Sequence, residues 1–106
     1  MTNSDALAGL TRWYAAECNG DWEHTFGIKI ETLDNPGWSL QIDLIDTDLE
    51  STAFATVEHD MASEVSWWRC WRDERAFYAA CGAPDLGTVI AIFLQWAATP
   101  STKAIP

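Results

Sequence analysis

Two stretches of alternating apolar and polar residues, separated by a short turn, most constrain the fold of this chain. Apolar residues recur at every other position from 26 to 30 and again from 38 to 44. Such a period of two is typical of half-buried antiparallel strands. Between them, Asn-Pro-Gly-Trp at 35–38 fits a turn in which proline sets the second position and Gly37 supplies a positive φ at the third. The sequence therefore predicts a β-hairpin.

Helices are predicted on both sides of the strand-forming region. The first has Ser4 or Asp5 as its N-cap, and it ends near the Asn-Gly pair at 19–20, where glycine can adopt the left-handed conformation that closes a helix. The last opens at Pro-Asp, residues 84–85, with proline in the first turn and an acid at the positive end of the helix dipole. Its predicted buried stripe consists of Leu86, Val89, Ile90, Phe93 and Ala97.

Three further strands complete one predicted α+β domain. They cover residues 53–58, 65–72 and 77–81. Because both helices are amphipathic, we expect them to cover one face of a four- to five-stranded antiparallel sheet and to leave the other face partly open. The chain length corresponds to one domain. We predict a single domain over residues 1–98 and a flexible C-terminal tail over 99–106.

Negative charge is concentrated in one part of the chain. Sixteen acidic residues against six basic ones give a formal charge of −10. Residues 21–60 hold ten acids and one base, a net charge of −9. Such a field repels nucleic acid and anionic lipid, and it attracts basic partners. We therefore expect a basic protein partner, with no binding to nucleic acid or to membranes.

The cysteines and the apolar runs predict a soluble, cytoplasmic protein. Cys18, Cys70 and Cys81 form no CxxC pair, and their odd number cannot close a complete set of disulfides, which suits a reducing compartment. The first ten residues lack the basic and apolar regions of a signal peptide. The longest strongly apolar run, residues 89–94, is far shorter than the roughly 20 residues that cross a membrane.

Residues 20–24, Gly-Asp-Trp-Glu-His, contain the groups of an acid–base site. Asp21, Glu23 and His24 lie in the predicted connection out of the first helix, and catalytic residues often lie in loops. The sequence has no nucleophile elbow around a serine and no glycine-rich phosphate loop. In a simpler interpretation, Glu23 and His24 hydrogen-bond the backbone at this junction. We expect no catalytic residue; the alternative is a small enzyme or ligand-binding domain with a pocket around Glu23 and His24.

Metal and cofactor sites are not expected either. The cysteines and the two histidines lack the closely paired spacing of structural zinc sites. The acidic run at residues 43–50 lacks the glycine and the terminal glutamate of a calcium-binding loop. This run is either a solvated loop or a surface that fits a basic protein, and the concentration of charge favours the second interpretation.

The seven tryptophans include a cluster in Val-Ser-Trp-Trp-Arg-Cys-Trp, residues 65–71. Strand alternation places Trp67 and Trp71 on one face with Arg69, and Trp68 on the other. Whichever face is buried, a tryptophan or an arginine is left on the outer face. Both residue types are enriched among the residues that dominate binding energy at protein interfaces. An acidic field with aromatic anchors favours a protein-binding module over an enzyme.

Several motifs in this chain are distinctive. They are Trp-Tyr at 13–14, Cys-Asn-Gly-Asp-Trp-Glu-His at 18–24, Thr-Leu-Asp-Asn-Pro-Gly-Trp at 32–38 and Ile-Phe-Leu-Gln-Trp-Ala at 92–97. In these motifs the chain resembles the immunity protein 53 family of bacterial polymorphic toxin systems. The resemblance implies a small cytoplasmic protein, encoded beside a toxin, that binds this toxin and protects the producing cell. Many such toxins are nucleases with basic active-site clefts.

The resemblance and the charge together predict an inhibitor that binds and neutralises a cognate toxin, an enzyme of nuclease type, through an acidic and tryptophan-bearing surface. The residues predicted to contact the toxin are Asp21, Glu23, His24, Asp43, Asp46, Asp48, Glu50 and Trp68. An adaptor that binds an unrelated basic host protein is a third interpretation. The sequence leaves the oligomeric state open.

Overall fold

The computed structural model describes residues 2–99. This range contains three α-helices and five strands. In chain order they are α1 (Asn3–Glu17), α2 (Trp22–Thr25), β1 (Ile28–Leu33), β2 (Gly37–Asp43), β3 (Val57–His59), β4 (Trp68–Arg72), β5 (Ala76–Cys81) and α3 (Leu86–Ala98), with a 3₁₀ turn at Ala83–Asp85 ahead of α3. Of the predicted flexible tail, residues 100–106 lie outside the described residues.

The five strands form one antiparallel sheet in the order β1-β2-β5-β4-β3. The predicted hairpin is its first pair, in which Ile30 lies opposite Leu40 and Leu33 lies opposite Gly37. α3 packs on β5 and α1 packs on α3, so both long helices lie over one face of the sheet. The predicted α+β class, and the predicted place of the two helices on one sheet face, are confirmed.

The core lies between the sheet and the helices. Alternate residues of the inner strands point into it, among them Leu40 and Ile42 of β2 and Phe77 of β5. The other buried apolar residues of this cluster are Ala6, Leu10, Leu44, Leu49, Cys70, Ala79, Cys81, Val89, Ile90 and Phe93. The predicted stripe of the last helix is confirmed at its centre, while Leu86 and Ala97 are half-buried at its margins.

The turn between β1 and β2 confirms the hairpin but corrects the predicted role of Gly37. This glycine does not have a positive φ, and it is the first residue of β2. A Cβ at position 37 would overlap the backbone carbonyl oxygen of Cys81 on the adjacent strand β5. Glycine is needed here because two strands approach each other closely, not because the turn requires a left-handed residue.

The first helix begins earlier than predicted. Its N-cap is Thr2, whose hydroxyl oxygen accepts the Asp5 N–H at 3.0 Å, while the Asp5 carboxylate accepts the Thr2 N–H at 3.4 Å. This reciprocal capping box satisfies two N–H groups that the first turn leaves without helical partners. Ser4 and Asp5, the predicted N-caps, therefore lie inside the helix.

β4 is shorter than predicted because side chains bind the N–H groups ahead of it. The strand begins at Trp68 rather than Val65. The Ser63 hydroxyl accepts the Val65 N–H at 3.1 Å, and the buried Asp85 carboxylate accepts the Trp67 N–H at 2.9 Å. Backbone groups engaged in this way do not pair with a neighbouring strand.

β3 is also shorter than predicted, since it covers Val57–His59 instead of residues 53–58. Phe54 lies just ahead of it and packs edge-on against Phe77 and Trp96, with ring centroids 5.2 Å away in each case. The segment before β3 is thus held against the core by an aromatic side chain instead of extending the sheet.

The three cysteines are free thiols and differ in burial. Burial raises the pKa of Cys70 to about 12 and that of Cys81 to about 11, whereas Cys18 is half-exposed at the end of α1. A thiol reagent needs both access and a thiolate. At about pH 8 we expect the folded protein to be alkylated at Cys18 only, and all three thiols to react after unfolding.

Timed quenching followed by mass spectrometry measures this labelling, with Cys18→Ser as the control that should remain unlabelled while folded. Alkylation of Cys70 as fast as that of Cys18 would contradict the packing described above.

Candidate functional site

Three connections meet at one end of the sheet, where β2 and β4 end and where β1 and β5 begin. They are the junction between α1 and β1 (residues 18–27), the loop after β2 (residues 44–52) and the turn between β4 and β5 (residues 73–75). We call these connections, together with Glu17 and the flanking strand residues 43 and 72, the acidic end.

Two long-range hydrogen bonds tie the three connections together. The buried indole of Trp22 donates its N–H to the carbonyl oxygen of Ile45 at 2.9 Å. The Leu44 N–H donates to the carbonyl oxygen of Arg75 at 2.8 Å. The acidic end is therefore one assembled surface, although its parts lie far apart in the sequence.

Carboxylates outnumber cations at the acidic end. Its acidic residues are Glu17, Asp21, Glu23, Asp43, Asp46, Asp48, Glu50, Asp73 and Glu74. Nine acids against Arg72 and Arg75 give a formal net charge of −7. Burial and the negative charge of Asp48 raise the pKa of Glu17. The structure thus brings together every predicted contact residue except Trp68.

A network of backbone hydrogen bonds holds the junction between α1 and β1. The Glu23 carboxylate accepts the N–H of Asn19 at 2.9 Å and that of Gly20 at 2.8 Å. The side-chain oxygen of Asn19 accepts the N–H groups of Asp21 and Trp22, each at 2.9 Å. The predicted role of Glu23 as an acceptor for backbone N–H groups is confirmed.

The conformation of this junction is partly as predicted. Gly20 has a φ of 91°, the left-handed conformation expected of the glycine that follows α1. Residues 22–25 form the short helix α2, however, within a segment that was predicted only as a connection. His24 is exposed on α2, next to a glutamate whose two carboxylate oxygens are both engaged.

Replacing Glu23 by glutamine is expected to destabilise the protein at neutral pH but not in acid. The pKa of Glu23 is lowered by hydrogen bonds from the backbone N–H groups of Glu23 itself, Asn19 and Gly20. These groups bind the charged carboxylate more strongly than the neutral form. A lowered folded-state pKa contributes stability above the ordinary pKa, and this contribution is lost as the pH falls through the folded-state value.

The difference in Tm between wild type and Glu23→Gln should therefore be largest near neutral pH and should vanish in acid. Calorimetry from about pH 7 down to about pH 2.5 measures it, with Asp21→Asn at an exposed neighbouring position as the matched control. A difference in Tm that is the same at every pH would contradict the assignment.

Arg72 fixes the backbone of the loop after β2. Its guanidinium donates to the carbonyl oxygens of Leu49 at 2.8 Å, Thr52 at 2.7 Å and Glu50 at 2.9 Å. Its Nε–H donates to the carbonyl oxygen of Asp73 at 2.8 Å. The planar fork of an arginine can reach several acceptors at once. One side chain thereby joins two of the three connections.

The acidic residues of this loop lie on a constrained backbone. Asp46, Asp48 and Glu50 are all exposed. Asp46 has a φ of 64°, a left-handed conformation that aspartate tolerates better than most residues. Its N–H donates to the Glu50 carboxylate at 3.0 Å.

The carboxylate of Asp43, like that of Glu23, serves the fold. Asp43 is half-buried, and its Oδ2 accepts the N–H of Gly27 at 2.9 Å. Its Oδ1 accepts the Nε2–H of Gln41 at 3.3 Å. Asp43 therefore fixes the entry of the chain into β1.

β4 directs its two tryptophans to opposite faces of the sheet. Trp68 lies on the side of the helices, half-buried against the core, where it stacks on His59 with ring centroids 4.0 Å apart. Trp71 lies on the open face, where it stacks on Tyr78 at 5.5 Å and lies beneath the guanidinium of Arg69 at 4.6 Å.

The open face adjoins the acidic end. The hydroxyl of Tyr78 donates to the Asp73 carboxylate at 3.0 Å, so the pair of Trp71 and Tyr78 borders the carboxylates. The sequence prediction did not name Trp71 or Tyr78 as contact residues. The alternation of β4 could have identified Trp71, because adjacent strand residues face opposite ways and Cys70 is buried.

A shallow pocket of about 350 Å³ opens at the acidic end. It is lined by Asn19, Asp21, Trp22, Thr25, Phe26 and Asp46. Within residues 2–99, no group of three or more histidine, cysteine, aspartate or glutamate side chains is placed to hold a metal ion. No helix in the same range is long and apolar enough to cross a membrane.

A comparison with protein families decides the class of this protein. The model of the family described as Immunity protein 53 matches residues 7–98, which include all five strands. The chain belongs to the immunity protein 53 family. The resemblance noted in the sequence motifs is confirmed. Comparisons with curated proteins and with solved structures gave no match.

Membership of the immunity protein 53 family implies that the protein neutralises a cognate toxin. Immunity proteins are typically non-enzymatic inhibitors, which agrees with the expectation of no catalytic residue. The match spans the α1–β1 junction, the loop after β2 and the turn after β4. All three connections of the acidic end thus belong to the family domain.

Proposed function

We propose that this immunity protein neutralises its toxin by binding a basic, nuclease-like catalytic domain at the acidic end. The observation that carries the proposal is the convergence of exposed carboxylates from two segments of the chain. Asp21 comes from the α1–β1 junction, and Asp46, Asp48 and Glu50 come from the loop after β2. A nuclease cleft that binds phosphate groups has the opposite charge.

The net charge of this surface supports recognition by steering. A formal charge of −7 at one end of a small protein attracts a basic partner over a distance of about one Debye length, roughly 8 Å at physiological ionic strength. Complementary charge raises the association rate and orients the partners more than it raises the affinity. The association rate should therefore fall as salt is added, with a smaller change in dissociation.

The rigidity of the acidic loop supports tight binding. The Arg72 guanidinium holds three carbonyl oxygens of this loop, and the Trp22 indole holds a fourth. Ordering a mobile loop on binding costs affinity, whereas a loop that is already fixed avoids this cost. The backbone that carries the carboxylates is therefore fixed before the toxin arrives.

An apolar contact is also needed, because protection against a lethal enzyme requires a Kd of about 1 nM or below, roughly 12 kcal/mol. Charge alone does not supply this free energy. The stacked pair of Trp71 and Tyr78 borders the carboxylates on the open sheet face. We therefore propose Trp71 as the aromatic anchor in place of Trp68, which packs against the core.

The alternative of a small enzyme with a pocket around Glu23 and His24 has little support in the geometry. Both oxygens of Glu23 accept backbone N–H groups, which leaves this carboxylate poorly suited to act as a general base. The lining of the pocket at the acidic end includes Asp21 but neither Glu23 nor His24.

Co-expression with the polypeptide encoded immediately upstream tests the proposed function. Survival of the host together with a complex that co-purifies is the expected result. Survival without a complex would indicate an enzymatic antidote and would contradict stoichiometric binding. If the upstream polypeptide is harmless, or if it kills the host despite co-expression, this polypeptide is not a toxin that the protein neutralises.

A further inference from the structure

β1 is an edge strand whose outer backbone groups have no partner strand among residues 2–99. The carbonyl oxygen of Gly27 accepts the N–H of Asp43 at 3.0 Å, so position 27 faces β2. Alternate residues of an antiparallel strand direct their backbone groups to opposite sides. Ile28, Ile30 and Thr32 therefore direct their N–H and carbonyl groups away from the sheet.

The side chains beside this edge are apolar and incompletely covered. Ile30 is 40% exposed although it lies on the face that carries the helices, and on α1 Leu7 is 59% and Tyr14 38% exposed. A groove of about 380 Å³ runs between α1 and the start of β1, with Leu10 and Tyr14 in its lining. An open strand edge next to an apolar groove is typical of a site that accepts another strand.

We propose that this edge pairs with β1 of a second copy of the chain, antiparallel and centred on Ile30. In this register Ile30 lies opposite Ile30 of the second copy, and Ile28 lies opposite Thr32. Each of these pairs exchanges backbone hydrogen bonds, because the outward-facing groups belong to the same three residues. The pairing also brings the exposed apolar side chains of the two copies together.

Charge complementarity selects the second copy as the occupant. In the register centred on Ile30, Lys29 of each chain lies opposite Glu31 of the other, on the open face of the sheet. Opposite charges at such cross-strand positions attract, and like charges repel. Registers centred one residue to either side place Lys29 against Lys29 or Glu31 against Glu31, so a single register satisfies both the backbone and the charges.

The lysine also discourages unrelated strands. Lysine on an exposed edge strand opposes pairing with a strand that offers no matching acid. A copy of the same chain offers this acid from the correct position. The proposal does not depend on the toxin, since it uses β1 and not the acidic end.

Reversal of single charges tests the pairing. We expect Lys29→Glu and Glu31→Lys each to weaken self-association about tenfold or more, because each variant places like charges opposite each other twice. In an equimolar mixture the two variants should associate with each other, because the acid introduced at position 29 of one variant then faces the base introduced at position 31 of the other.

Sedimentation equilibrium at about 0.15 M salt, where the repulsion between the acidic ends is screened, gives the dissociation constants. Differently tagged variants show which copies pair. Glu58→Lys on the opposite edge strand β3 is the matched control and should leave self-association unchanged.

Three results on self-association would overturn the proposal. They are a wild-type protein that is monomeric at every concentration, a dimer that tolerates both single reversals, and variants that fail to associate when mixed. Protection of the β1 amides from hydrogen exchange only when the toxin is bound would identify the toxin as the occupant, and would equally overturn self-pairing.

Discussion

Neutralising Asp46 and Asp48 together is expected to weaken toxin binding about a hundredfold, mainly through a slower association rate that also depends less on salt. Both residues are exposed on the loop after β2, which is part of the acidic end. Asparagine is the substitution of choice at position 46, because it accepts the φ of 64° that a lysine or an alanine would resist. Loss of binding then reports lost charge and not a strained loop.

The chain offers a matched control for this variant. Asp60 also has a left-handed φ, 50°, and it follows β3 at the opposite end of the sheet. Asp60→Asn combined with Glu64→Gln removes the same charge from exposed positions far from the proposed interface. Stopped-flow association at several salt concentrations should separate the two double variants. Equal association rates for both would mean that net charge, and not the acidic end, guides the toxin.

Replacing Arg72 by methionine is expected to lower the free energy of unfolding by about 3 kcal/mol, or roughly 15 °C in Tm. Methionine keeps much of the aliphatic length but loses the donors that hold the carbonyls of Leu49, Glu50 and Thr52. Hydrogen bonds from a charged donor contribute more than neutral ones, and the freed carbonyls of a half-buried loop lose their partners.

The second consequence of Arg72→Met is functional. A loop released from the core has to be ordered again on binding, so toxin affinity should fall even though no acid has been removed. Hydrogen exchange over residues 44–52 should accelerate in the same variant. Denaturant unfolding and exchange measured by mass spectrometry give the two quantities.

Arg75→Met is the control for both effects. This residue lies at the same end and carries the same charge, but it is exposed and its hydrogen bonds are made by its backbone. We expect a change in stability within about 0.5 kcal/mol, as at most exposed positions. If Arg72→Met were as stable as Arg75→Met, the guanidinium would not be what holds the loop.

Prediction from the sequence succeeded where the signal was local. Alternation from residue 38 to 44 identified the buried face of β2, and helical spacing identified Val89, Ile90 and Phe93 as the inner stripe of α3. The prediction failed where a local pattern was compatible with two different physical reasons. Gly37 was taken for a residue of positive φ, but it is required by the approach of the Cys81 carbonyl from a strand 44 positions away.

The tryptophans of β4 show what the sequence pattern can predict and what requires the tertiary structure. Alternation established that Trp68 and Trp71 face opposite ways. Which of them faces outward depends on which side of β4 lies on the helix face of the sheet. This is decided by the pairing of β4 with β5, on which α3 packs. The predicted contact surface accordingly named Trp68, whereas the open face presents Trp71.

The sequence by itself determined the fold class, the hairpin, the two long helices, the family and the excess of negative charge. These properties depend on residues close together in the chain or on composition, and the sequence shows local patterns and composition directly. Only the tertiary structure decided that Asp21 and Asp46 share one surface, that Arg72 holds the loop between them, and that β1 is left at an edge. The physical reason is that strand order and the meeting of distant loops follow from how the whole core packs, which no local period encodes.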